Sequence, residues 1–192
     1  MALQNLLEIS NLKKKRKIGL SEERIKAVLH IIRKYVAFWR EYPDIFIDFM
    51  KGPNSKFNLY FYQRVFLRQA MRKKYTYATF TRAYSKSFLT ELILMMRCIL
   101  YPGAHLFVTS GGKEQAAGII KEKVQEICEL IPAFGREIDY GRGKTIFSKD
   151  LVRVCFKNGS WYDNVAARET SRGKRRHGKN FYDADSLKQC AW

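Results

Sequence analysis

Residues 79–89 read TFTRAYSKSFL and join two runs of different character. Before them, YTYATFT (75–81) is rich in aromatic and β-branched residues, which predicts a strand. After them, KSFLTELILMMRCIL (86–100) is apolar around most of its circumference, which predicts a buried helix. A strand that turns into a helix through Lys86-Ser87 is the setting of a phosphate loop. There, free backbone N–H groups point at an anion, a lysine reaches the terminal phosphates, and a hydroxyl coordinates a divalent cation. The glycines of the standard motif are missing, because their positions fall on Phe80 and Ser85. If the loop requires φ > 0 at Ser85, the serine costs about 1 kcal/mol or more there; at negative φ it is tolerated. Arg82 adds a guanidinium inside the loop, suited to neutralising charge during phosphoryl transfer.

Outward from the loop, the pattern alternates. HLFVTS (105–110) predicts a second strand, KEQAAGIIKEKVQEICELI a long amphipathic helix, and Asn158-Gly159 a hairpin turn between two alternating runs. Strand–helix order of this kind implies an α/β domain with a parallel sheet. Upstream, FNLYFYQRVFLRQAMRKK predicts a helix, and GPNS at 52–55 breaks the chain before it. Residues 21–51 read as two helices separated at Pro43. The first starts at Ser21 as N-cap, with Glu22 and Glu23 in its first turn, and repeats Ile25, Val28, Leu29, Ile32 and Val36 at helical spacing.

Charge is the unusual bulk property. The 192 residues hold 36 Lys and Arg against 18 Asp and Glu, a formal net charge of +18, which favours a polyanionic partner and nucleic acid above all. The basic run Lys13–Lys17 and the stretch TSRGKRRHGK (170–179) are its densest parts, readable as solvated segments or as phosphate contacts. Four scattered cysteines and three histidines lack metal-ligand spacing, so they read as reduced thiols rather than a structural zinc site. The order of charge and apolar residues at the N-terminus argues against a secretory signal, and no apolar run approaches the ~18 residues of a membrane span.

Taken with its flanks, TRAYSKS (81–87) resembles the Arg-containing phosphate loop of the large terminase subunit of tailed bacteriophages. Further segments resemble that family in order: REYPDIFIDFMKG (40–52) its helical lead-in, FNLYFYQRVFLRQAM the helix before the loop, LFVTSGGKEQAAGIIKEKV the second strand and helix, and FKNGSWYDNVAARETSRGKRRH the hairpin and basic turn. The resemblance covers roughly residues 20–178. It implies a P-loop NTPase-type α/β core with a parallel sheet, a helical N-terminal extension and a β-hairpin insertion. The corresponding division is a basic arm (1–20), a helical lead-in (21–52), an ATPase core (56–178) and a divergent tail (179–192).

The function implied is ATP-driven translocation of double-stranded DNA into a procapsid, with ATP and Mg²⁺ as cofactors. Within it, Ala83, Tyr84, Ser85 and Lys86 would cradle the phosphates, Arg82 would stabilise the transferring phosphoryl, and Ser87 would hold Mg²⁺. Gln63 would read adenine, although alone it reads as a solvent-facing helix glutamine. Arg172, Lys174, Arg175 and Arg176 are the candidate DNA contacts. The implied partners are the small terminase subunit, the portal protein and further copies in a ring, without a membrane, in the cytoplasm of an infected or lysogenic bacterium. The family's acidic strand is matched only by KNFYDADSLKQCAW, where Asp183 and Asp185 stand in for its two acids and only Phe181 and Tyr182 are apolar before them. The chain therefore reads as a truncated or interrupted large-subunit fragment with impaired hydrolysis. The alternatives are a nucleic-acid-binding module without catalysis and another P-loop translocase.

Overall fold

The computed structural model describes residues 22–53, 55–73, 75–81, 83–110, 112–166 and 181–183. The chain divides into two compact units, residues 1–37 and 38–192. Of the first unit, the described part is the helix α1 (Glu22–Glu41) up to Ala37, where Val28 and Ile32 of the predicted apolar face stay about half exposed, at 49% and 48%. The basic arm and Ser21 lie outside the described residues.

In the second unit, α2 (Pro43–Met50) starts where Pro43 ends the preceding helix, because proline at the first helical position lacks only an N–H that would be orphaned anyway. Phe46 and Ile47 of α2 are core residues, so the second lead-in helix belongs with the domain rather than apart from it. α3 (Phe61–Arg72) packs on α2 through ions. Asp44, 1% exposed, accepts from Arg68 at 2.7 and 2.8 Å and from Arg64 at 3.4 Å. Burial alone would raise the Asp44 pKa, but the two guanidiniums outweigh it and hold the carboxyl below its ordinary value.

α4 (Lys86–Leu100) begins and ends where the sequence predicts, and twelve of its side chains are buried. Its Arg97 donates to the last carbonyls of α3, Ala70 at 2.9 Å and Met71 at 3.1 Å, which ties the two helices together. β1 (His105–Ser110), α5 (Lys113–Leu130) and α6 (Pro132–Glu137) follow, then β2 (Ile146–Phe147), β3 (Val152–Cys155), β4 (Trp161–Ala166) and β5 (Phe181–Asp183).

The sheet order is β2-β3-β4-β1-β5, with β4 and β5 parallel to β1 and the β2-β3-β4 side antiparallel. The fold is α/β with a mixed sheet, not a wholly parallel one, because the Asn158-Gly159 turn folds β3 back on β4. Gly159 at φ +84 supplies the left-handed step of that turn. The hairpin is part of the central sheet rather than an appendage, since β4 pairs with β1 along its whole length.

Two expectations are corrected. YTYATFT (75–81) forms no ladder with any described strand, and Tyr75 and Tyr77 are 81% and 57% exposed. Among the described residues no strand lies in register to pair with it, and propensity alone does not make a strand. Conversely, three residues of the stretch set apart as a divergent tail (179–192) are in the sheet: Phe181, Tyr182 and Asp183 pair in parallel with Phe107, Val108 and Thr109. Among the described residues, no helix is long and apolar enough to cross a membrane.

Candidate nucleotide site

Two contacts fix the direction of α4. Near its C-terminus, the Asn158 side chain donates to the carbonyls of Cys98 at 2.7 Å and Ile99 at 3.2 Å, just before β4 begins. Seven residues earlier, the Glu91 carboxyl is hydrogen-bonded to the hydroxyl of Tyr162, the second residue of β4. The helix thus runs antiparallel to β4 and β1. A further five residues, about 7.5 Å of helix, carry Lys86 to the level of the last residues of β4. The N-terminus of α4 therefore faces the C-terminal ends of the parallel strands, the end at which α/β sheets place their ligands. Asp183 closes β5 at that same end, in register with Thr109.

The loop entering α4 is strained. Ala83 (φ 65) and Ser85 (φ 53, ψ 26) are the two non-glycine residues with positive φ among those described. The position where the standard motif has glycine is thus left-handed, and the serine there carries the cost that glycine avoids. Ser85 caps α4 only through its carbonyl, which accepts from Leu89 N–H at 2.9 Å; its side chain makes no cap hydrogen bond. The first turn holds no acid to balance the positive end of the helix dipole and carries Lys86 instead. Half-buried Lys86 and Ser87 therefore sit at a helix start whose first N–H groups have no intrahelical acceptor, an arrangement suited to an anion. ATP phosphates with Mg²⁺ fit this chemistry, with Lys86 as the cation and Ser87 as the hydroxyl ligand.

α3 meets the approach to α4 through two aromatic residues, Phe66 edge-on to Phe80 at 5.1 Å and Tyr62 against Tyr84 at 5.1 Å; ahead of α3, Phe57 meets Phe88 of α4 at 5.8 Å. Gln63 follows Tyr62, the α3 residue that meets Tyr84 of the loop. It is not solvent-facing: it is 5% exposed, and its Oε1 accepts from Tyr60 N–H at 2.9 Å, capping α3.

The structure so places Ala83, Tyr84, Ser85, Lys86 and Ser87 at the entry to α4, with Tyr84 against Tyr62, the chain neighbour of Gln63, and with the Asp183 backbone at the corresponding end of the sheet. Arg82, Asp185, Arg172, Lys174, Arg175 and Arg176 lie outside the described residues, and of Asp183 only the backbone is described. Among the described residues, no group of three or more His, Cys, Asp and Glu is placed to hold a metal by itself.

Glu91 is the residue that sequence reasoning passed over. It is the one acid in KSFLTELILMMRCIL, 2% exposed, and burial pushes its pKa up to about 8 against the lowering effect of its hydrogen bond with Tyr162. An acid inside an otherwise apolar helical run was the signal. No protein-family model and no curated protein matches the chain.

Proposed function

We propose that the chain is a nucleotide-binding ATPase module of the kind found in the large terminase subunit of tailed bacteriophages. Supporting this are the ordered resemblances along residues 20–178. One structural observation carries it: Lys86 and Ser87 open a buried helix, behind a left-handed loop, at the ligand-binding end of parallel strands. On this reading Lys86 contacts the β- and γ-phosphates, Ser87 and Asp183 support Mg²⁺, and Arg82 faces the transferring phosphoryl. Bound Mg-ATP would supply the phosphoryl group whose transfer drives DNA movement. Hydrolysis is assigned as impaired in this chain, because its two candidate acids follow only two apolar residues. The assembly would be a ring on a capsid portal, with the small subunit and double-stranded DNA, in the bacterial cytoplasm.

Titration calorimetry of the full chain with Mg-ATP tests the core of this. The wild type is expected to bind, and Lys86→Ala to weaken binding at least about tenfold, since a lysine–phosphate contact is charge-assisted. Equal affinities for the two proteins would sink the proposal. A second reading, a nucleic-acid-binding module without nucleotide chemistry, is favoured by the +18 charge.

A further inference from the structure

Three tyrosines form a ladder beside the loop. Tyr60 stacks on Tyr62 with ring centroids 6.1 Å apart and planes 11° from parallel, and Tyr84 leans on Tyr62 at 5.1 Å and 50°. Tyr62 is therefore the middle ring, between two neighbours. The open rings are the ends of the ladder, Tyr84 at 50% exposure and Tyr60 at 70%. Of these two, Tyr84 belongs to the loop itself, between Ala83 and Ser85, whose left-handed backbone angles turn the chain there. A nucleotide whose phosphates rest at the start of α4 has this ring next to it.

We propose that Tyr84 is the base-stacking surface of the nucleotide site and that the site accepts either purine. This rests on the nucleotide reading above and adds what that reading leaves open, the basis of base recognition. Selection of adenine over guanine needs hydrogen bonds to the base edge. The side chain that the resemblance assigns to that role, Gln63, is buried with its amide oxygen accepting from the Tyr60 N–H, so reorienting it would uncap α3. Stacking carries no such selectivity, because every base offers a π face. Tyr84 holds the base by its face while the loop and Lys86 hold the phosphates.

Calorimetry of the full chain with Mg²⁺ and three ligands separates these contributions: AMP-PNP, GMP-PNP, and tripolyphosphate as the ligand without a base. The two nucleotides are expected to bind within about threefold of each other. Tyr84→Ala is expected to weaken both by about tenfold and tripolyphosphate by clearly less, since the variant keeps the backbone N–H that faces the phosphates, and Tyr84→Phe to keep wild-type affinity. Tyr84 is exposed, and a thermal melt of each variant checks that it folds. Unchanged nucleotide affinity in Tyr84→Ala overturns the inference, as does a preference of thirtyfold or more for AMP-PNP. If Lys86→Ala weakens all three ligands while Tyr84→Ala weakens none, the phosphate site stands and the base assignment falls. If the wild type binds none of the three, the nucleotide reading fails and this inference fails with it.

Discussion

At Ser85 a single side chain meets a backbone requirement that its sequence position already raised. The standard loop has glycine there because φ is positive, and Ser85 does adopt φ 53. A β-carbon in the left-handed region costs about 1–2 kcal/mol, partly returned because glycine loses more backbone entropy on folding. Ser85→Gly is therefore expected to raise stability by about 1 kcal/mol, read as a higher urea midpoint with unchanged m-value. A lower midpoint would mean that the serine makes a compensating contact. The requirement was legible as a question, since the motif position is countable from Lys86. Its sign was not, because φ depends on how the loop is held between α3 and α4.

At the scale of elements, α4 shows how a helix can be predicted to the residue while its most consequential side chain is overlooked. Fifteen residues with one acid and one arginine beyond the first lysine declare a buried helix. What the periodicity cannot say is that Glu91 packs against Tyr162 of β4, where Cys98 and Cys128 also raise the tyrosine's pKa after burial and the Glu91 contact. The consequence is a pH dependence of stability. The Glu91 pKa is raised from 4.5 to about 8 in the folded state, so the native protein holds a proton that the unfolded chain releases. This contribution is fully present below about pH 4.5 and is lost as pH rises through about 8. The wild type is therefore expected to melt at a lower temperature at pH 9 than at pH 6. Glu91→Gln, neutral throughout, is expected to flatten that difference. Parallel melting curves for the two proteins across this range would remove Glu91 from the explanation. Asp44 and Asp48, held low by their arginines despite burial, lose their contributions only on acidification and do not enter this window.

Over the whole molecule, charge makes the broadest prediction. A chain of net +18 should bind double-stranded DNA with a steep salt dependence, since each neutralised phosphate releases counterions. Replacing Arg172, Lys174, Arg175 and Arg176 with serine is expected to reduce the slope of log K against log salt by about 3 to 4 if all four contact phosphates. An unaltered slope in fluorescence anisotropy with a labelled duplex would take these four out of the interface. The sheet teaches a related lesson about reach. β1 was readable because a short apolar, β-branched run, Leu106 to Thr109, is bounded by Pro102-Gly103 and Gly111-Gly112. YTYATFT carries a β-propensity signal yet forms no ladder with any described strand, whereas FYD carries almost none and pairs with β1.

Local pattern alone determined the α/β class, the bounds of α4 and β1, the hairpin at Asn158-Gly159 and the helix start at Lys86. Each depends on contacts within a few residues, where periodicity, turn chemistry and proline act directly. Only the tertiary structure, through long-range packing, decided that the sheet is mixed and that 75–81 joins none of its described strands. The left-handed Ser85, the burial of Gln63 as a helix cap, and the meeting of Glu91 with Tyr162 and of Tyr62 with Tyr84 were also its decisions. The Gln63 cap itself is local, three residues from Tyr60, but its burial and the other outcomes depend on distant parts of the chain: Tyr62 and Tyr84 are 22 residues apart and Glu91 and Tyr162 are 71, and strand pairing, ring contact and desolvation exist only once such partners are brought together.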